Sequence, residues 1–266
     1  TDPPTAGDGE GEGEGEAAEG EGEGEGEGEP AEGEGEGEGE GEGEPVDALF
    51  VDGFEAGLSS WTTVRPNCSG SGTVGVVAGG RSGGQHLEVV GGGGYCDHVF
   101  VETPLPASVS STSTVHVRFF VRVTSSLSQG HVTFLTFPAA IADKDLRMGG
   151  QSGIYMWNRE SDDATLPELS PTGIGLSTTP TPNTWSCVEV EIDGAGGVLR
   201  TFVDDVLVDG LVIDDVATAD IDNQWHRGPR EMALTSLRLG WESYAGDART
   251  IAFDDVVIDD EQIGCN

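Results

Sequence analysis

From Thr114 to Val123 the chain reads TVHVRFFVRV, a run in which polar residues recur between apolar neighbours. Successive side chains of a strand point to opposite faces, so a period of two buries one face and wets the other. The same period recurs in HVTFLTF (His131 to Phe137), CVEVEID (Cys187 to Asp193) and SLRLGWE (Ser236 to Glu242), and TIAFDDVVI closes the series. LRTFVDDVLVDG sets Asp204 and Asp205 between two apolar arms, the pattern of a tight hairpin. Helical periodicity is almost absent. Strands with one apolar face must bury it against a second sheet. The expected architecture is therefore all-β, a two-sheet antiparallel jelly-roll sandwich. Such folds carry lectins, glycanases, lyases and binding modules, so the fold does not decide the function.

That reading covers residues 48–266. Residues 1–47 hold 20 Asp and Glu and no Lys or Arg, mostly as a Gly-Glu dipeptide repeat. The repeat has no apolar face to offset the entropy of ordering it. The expectation is a disordered acidic linker spanning roughly 35–40 Å root-mean-square as a Gly-rich coil. A flexible tether ahead of a folded module fits a secreted protein held away from a surface. With Thr1 in first place the chain reads as a mature or trimmed one. Of the 49 acids, 29 lie beyond the repeat against all 12 Lys and Arg, a net −17. That charge excludes nucleic acid as a partner and repels a polyanion at long range. No apolar run is long enough to span a membrane, and a monomer is expected.

Cys68, Cys96, Cys187 and Cys265 contain no CxxC pair, which disfavours zinc and suits an oxidised, extracellular domain. Two disulfides allow three pairings; sequence order favours Cys68 with Cys96 and Cys187 with Cys265.

Hydrogen-bonding capacity is densest in LRMGGQSGIYMWNRESDD, Leu146 to Asp163. Arg147 offers a planar donor fork suited to a carboxylate, and Gln151 adds an amide. Four residues apart, they share a face if the strand stays extended; a bulge at Gly149–Gly150 would separate them. Arg159 is placed to pair with Glu160, Asp162 or Asp163 and pin a loop, or, with Asn158, to touch a ligand directly.

Together DGFEAG, NCSGSGTV, GGYCDHVF, HVTF, LRMGGQS, NRESDDATLPELSP, GWESYAGD and FDDVVI resemble, in order and spacing, the secreted fungal jelly-roll proteins induced with cellulases, relatives of the glucuronan lyases (polysaccharide lyase family 20). The resemblance covers roughly Asp52 to Cys265. It implies the disulfide pairing favoured above, a structural calcium at Glu55, Ser82, Gln85 and Asp254, and a cleft for a uronic-acid polymer. Gln85 stands where the family has the shorter Asn. Calcium takes six to eight oxygens, which carboxylates, a hydroxyl and amide carbonyls supply.

A uronate lyase cleaves a 1→4 link by β-elimination. It must neutralise the substrate carboxylate, remove the C5 proton and protonate the departing O4. The resemblance implies Tyr244 for acid and base work, with Arg147 lowering its pKa, and Arg147 and Gln151 as the carboxylate clamp. His131 is the candidate proton acceptor or second clamp. His98, Asn158, Arg159, Asp163 and Trp157 are candidate substrate contacts. Asp145 stands where the family carries His, and a carboxylate there opposes a uronate.

The rival reading is a non-catalytic carbohydrate-binding module for cellulose or another plant-wall glycan. Trp157, Trp185, Trp225 and Trp241 would then stack on sugar rings, although Trp185 and Trp241 sit within strand patterns that favour core packing. Retaining glycoside hydrolysis is a third reading, but no ExDxxE-like strand motif is present.

Overall fold

The computed structural model describes residues 48–109 and 114–266, so the expected linker over 1–47 lies outside the described residues. In chain order the strands are β1 (Phe50–Asp52), β2 (Thr62–Val64), β3 (Thr73–Ala78), β4 (Gln85–Gly91) and β5 (Val99–Pro104). Next come β6 (Thr114–Val123), β7 (Val132–Ile141), β8 (Lys144–Gln151), β9 (Ile154–Arg159) and β10 (Ala164–Leu166). The series ends with β11 (Ser186–Asp193), β12 (Val198–Val203), β13 (Val206–Ile213), β14 (Ser236–Ser243) and β15 (Arg249–Asp259). They form two antiparallel sheets, the jelly-roll sandwich expected. The first runs β13-β12-β11-β6-β15-β4-β3 with β1 added on β15; the second runs β10-β9-β8-β7-β14-β5-β2. Among the described residues no helix is long and apolar enough to cross a membrane.

The alternation works as written. Val115, Val117, Phe119, Val121 and Val123 of β6 point inward and are almost wholly buried. Phe119 meets Phe134 and Phe253 at the centre of the core, with ring centroids 6.1–6.5 Å apart. Each such side chain contributes roughly 1.5–3 kcal/mol on burial. The β12–β13 hairpin turns on Asp204 and Asp205, both at positive φ (51° and 63°), as a two-residue turn between twisted strands requires.

One expectation needs correcting. The outward face of β6 is not wet: His116 and Arg118 are each only 7% exposed. The chain's own C-terminus covers this side. Glu189 accepts from His116 Nδ1 (3.1 Å) and from the backbone N–H groups of Ile263 and Gly264 (2.8 and 2.9 Å). The Cys187–Cys265 disulfide anchors the same segment, and Cys68–Cys96 is the other bridge.

Candidate functional site

The second sheet keeps a polar outer face. Its register aligns Thr165, Asn158, Arg147, Thr136, Arg238, Glu102 and Thr62, one residue from each of the seven strands. At ~4.8 Å between strands the row runs roughly 29 Å. All seven are polar. Arg147 to Gln151 stays paired with β9 in unbroken register, so Arg147 and Gln151 do share a face. The irregularity falls on β7, where the register shifts between Thr133 and Leu135. The bulge turns Phe134 and Leu135 both into the core and leaves Thr133 and Thr136 lining the groove. Gly149 permits the close approach: a Cβ there would sit 1.9 Å from the Val132 carbonyl oxygen.

Arg147 occupies the middle of two adjoining hollows. One, of about 540 Å³, is lined by His131, Arg147, Gln151, Asn158, Glu160, Asp163, Thr165, Leu169 and Tyr244. The other, of about 300 Å³, shares Arg147 and Glu160 and adds Tyr95, Phe100, Thr133, Thr136, Asp145, Arg238 and Glu242 among its walls. Six of the nine sequence-predicted catalytic and substrate residues thus meet in one space: Tyr244, His131, Arg147, Gln151, Asn158 and Asp163.

Tyr244 and His131 are stacked, their rings 5.4 Å apart and 11° from parallel. The Tyr244 backbone N–H donates to the His131 carbonyl at 2.9 Å, which fixes the pair. Burial, and then the Arg147 charge, push the His131 imidazole down to about 4. It is therefore neutral, and a proton acceptor, at ordinary pH. Arg147 Nη1 donates to the Tyr244 hydroxyl at 3.4 Å. Arg147 does pull the phenol's pKa down, as expected, but the net shift is upward. Burial and the neighbouring Glu242 carboxylate push it upward, outweighing Arg147. Tyr244 is consequently a proton donor.

Sequence reasoning missed Glu242, although it stands at the end of β14 only two residues before Tyr244. It is 6% exposed, and burial raises its carboxyl above the ordinary range. Its Oε2 lies 3.2 Å from His98 Nδ1. His98 itself is wholly buried. It lies beneath the groove floor, with Glu242 between it and the phenol, so direct substrate contact through His98 is corrected.

Trp157 and Arg159 are corrected too. Asn158 faces the groove, and its neighbours on the strand must face the core. Trp157 is wholly buried, stacked on Phe137 at 6.4 Å, with its indole N–H donating to Thr201 Oγ1 at 2.9 Å. Arg159 is also fully buried. It donates to Asp162 at 2.7–2.8 Å and to the carbonyls of Trp225 and Pro229 at 2.9 and 2.7 Å. It pins a loop. Trp225 and Trp241 are buried, and Trp185 sits on the other sheet under Arg122, 4.5 Å from its ring. The groove's aromatics are Tyr95, Phe100 and Tyr244 instead.

Glu160, expected near Arg159, holds Arg147: Nη2 and Oε1 are 2.8 Å apart. Its other oxygen accepts from the Asp145 backbone N–H at 2.9 Å. Asp145 turns toward Arg238, 3.6 Å from Nη1, while Arg238 Nε donates to Glu102 at 2.7 Å.

The four residues expected at a calcium gather at a different corner. Glu55 Oε1 accepts from the Gln85 N–H (2.9 Å), and Asp254 Oδ2 from the Arg81 N–H (2.6 Å). Ser82 Oγ donates to Asp255 Oδ1 at 2.5 Å. A register shift in β15 between Asp254 and Val257 brings two consecutive acids here. Burial raises the Asp254 carboxyl, and Asp255 and Glu55 push the same way. Among the described residues Asp254 has no ion-pair partner of its own, the nearby Arg81 guanidinium being engaged by Asp255 at 3.1 Å, and these oxygen donors fit a hard cation. Among the described residues no three His, Cys, Asp or Glu side chains form a ready metal cage; this set has two carboxylates, a hydroxyl and an amide.

Residues 50–261 match the family model described as Polysacc_lyase-like: Cip1-like, core domain. The solved structure "Cellulose induced protein, Cip1" is 36% identical, with a TM-score of 0.75, covering 82% of this chain and 100% of that one. Domain 4 of AbnA, an extracellular arabinanase from Geobacillus stearothermophilus, is 14% identical over 79% of this chain and 91% of that one, TM-score 0.49. The binding domain of botulinum neurotoxin serotype G is 10% identical over 82% and 49%, TM-score 0.47. No curated protein sequence matches the chain.

Proposed function

The chain belongs to the Cip1-like, polysaccharide-lyase-like family, and on that premise we propose that its groove cleaves a uronate-bearing polysaccharide by β-elimination. The observation that carries this reading is the convergence of His131, Tyr244, Arg147, Gln151 and Asn158 on one hollow of about 540 Å³. His131, held neutral, takes the C5 proton of the uronic residue. Negative charge moves onto the C6 oxygens, where Arg147, Gln151 and Asn158 offer N–H donors. The C5–H electrons form the C4=C5 double bond, the C4–O4 bond breaks, and Tyr244 protonates the leaving O4. The proton on His131 then returns to the phenolate, so no water is consumed and nothing is oxidised. The two rings stack, which suits that return.

A calcium ion held by Glu55, Ser82, Gln85 and Asp254 would supply structure rather than chemistry, tying the loop before β4 to β15.

The test is ultraviolet absorbance of the unsaturated uronate product on a panel of free and esterified polyuronates. The parent should generate it on at least one polymer, and His131→Ala should not. No absorbance on any polymer, with the glycan still retarding the protein in affinity electrophoresis, would leave a binding module.

A further inference from the structure

Every arginine on the groove floor already has a carboxylate. Arg147 is engaged by Glu160 at 2.8 Å, and Arg238 by Glu102 at 2.7 Å with Asp145 at 3.6 Å. Among the described residues lining the two hollows, the Lys or Arg left is Lys144, exposed beside Asp143. Around the two hollows Asp143, Asp145, Glu160, Asp163 and Glu242 outnumber Lys144, Arg147 and Arg238. A free polyuronate brings one more negative charge per sugar. To reach Arg147 it must displace Glu160, which the Asp145 N–H also holds at 2.9 Å, and then sit beside it.

What the hollow does offer is neutral hydrogen bonding. Asn158 is 3% exposed, lines the hollow, and its Oδ1 has no hydrogen-bond partner among the described residues. Gln151 stands on the same wall. Those amides suit a carbonyl or a hydroxyl as well as an anion. Leu169 adds an apolar surface within the same space.

We infer that the uronic acids this groove processes are neutral esters rather than free carboxylates, and that Glu160 enforces the choice by neutralising Arg147. The inference rests on the β-elimination reading above and narrows its substrate class. Ester chemistry agrees with the electrostatics. Removing the C5 proton beside a free carboxylate places a second negative charge on the same group, so an unpaired cation is needed. Beside an ester the same step makes a singly charged enolate, which hydrogen-bond donors can hold. The C5 proton passes to His131, the C5–H electrons form the C4=C5 bond, O4 leaves with the C4–O4 pair and takes the Tyr244 proton. The ester's own alcohol stays attached, so the product is an unsaturated uronate ester and no co-reactant is required.

The experiment uses the full chain and one polyuronate backbone in two forms, fully methyl-esterified and fully de-esterified, with ultraviolet absorbance of the unsaturated end as readout. The parent should release product at least tenfold faster from the ester. Glu160→Gln, which frees Arg147, should narrow or reverse that ratio by raising turnover of the free acid. Should Glu160→Gln fail to fold, the parent's ratio alone decides. A parent that prefers the de-esterified polymer overturns the ester assignment and leaves the lyase reading standing. Product from neither form, across several backbones, overturns both.

Discussion

Arg118 and Arg147 occupy equivalent situations on the two sheets. Each projects from a central strand onto the outward face, and each is nearly buried, 7% and 9% exposed. Their surroundings differ. Arg118 lies 5.2 Å from the Phe120 ring, with Arg81 over the same ring at 3.5 Å, on the face that the C-terminal segment covers. Burial lowers its pKa, only partly offset by Asp255. For Arg147 burial works in the same direction, but Glu242, Tyr244, Glu160 and Asp145 outweigh it and hold the charge more firmly. One outward face has been closed by the chain itself and serves stability. The other is left as a groove with charged groups along its floor. Alternation alone does not distinguish a structural face from a working one; what covers each face does.

The largest expected effect lies in the groove. Tyr244→Phe removes the proton donor and keeps the ring stacked on His131, so turnover should fall by roughly 10²–10⁴-fold with the melting temperature nearly unchanged. A melting temperature that falls with turnover would make Tyr244 a packing residue and erase the contrast between the faces. Next comes the core beneath the groove. Trp157→Ala should cost about 3–5 kcal/mol in denaturant unfolding, while the folded fraction retains turnover. A smaller effect is expected at the β15 corner. Chelation should lower the melting temperature, and calcium at a hundredfold over its dissociation constant should restore about 2.7 kcal/mol. Asp254→Asn should abolish that calcium response. Identical melting curves with and without chelator would remove calcium from the account.

The gentlest prediction concerns pH. His131 has a folded pKa near 4 against an ordinary 6.5, because burial and then Arg147 disfavour its charged form. The native state therefore resists protonation at His131. Its contribution to stability falls as pH drops from the ordinary value toward about 4, and turnover should rise as pH climbs through about 4. Tyr244 titrates above the ordinary phenol range, so no alkaline loss from it is expected below about pH 10. His131→Gln should lower kcat/KM by roughly 10²–10⁴-fold, and whatever residual activity remains should lack the acid limb; parent-like activity with an unchanged limb would assign the proton acceptor elsewhere.

Much of this was legible in the sequence for a definite reason. Period-two alternation and the Asp204–Asp205 turn are local, and local patterns define strands and hairpins. The even spacing of Arg147 and Gln151 is local as well. The same parity argument also placed Trp157 and Arg159 opposite Asn158, so those two assignments were correctable from spacing alone. Glu242, Arg238 and Glu102 were not legible in their roles. Arg238 reaches Thr136 and Glu102 only through register between strands far apart in the chain, 136 residues in the case of Glu102. The partner of Glu160 was likewise a matter of fold: Arg159, its neighbour, turned inward, and Arg147 across the hairpin received it. Composition showed a domain at −17 but not where its few cations were gathered or by what they were held.

The most direct test compares the two arginines. Arg118→Met and Arg147→Met would each be measured for melting temperature and for unsaturated product formed per folded molecule. The expected result is a crossing: Arg118→Met melts earlier and keeps its turnover, while Arg147→Met keeps its melting temperature within a few degrees and loses roughly 10²–10³-fold in turnover. If both variants lost stability together and neither changed turnover per folded molecule, the groove would be one more structural face, and the assignment of chemistry to it would be wrong.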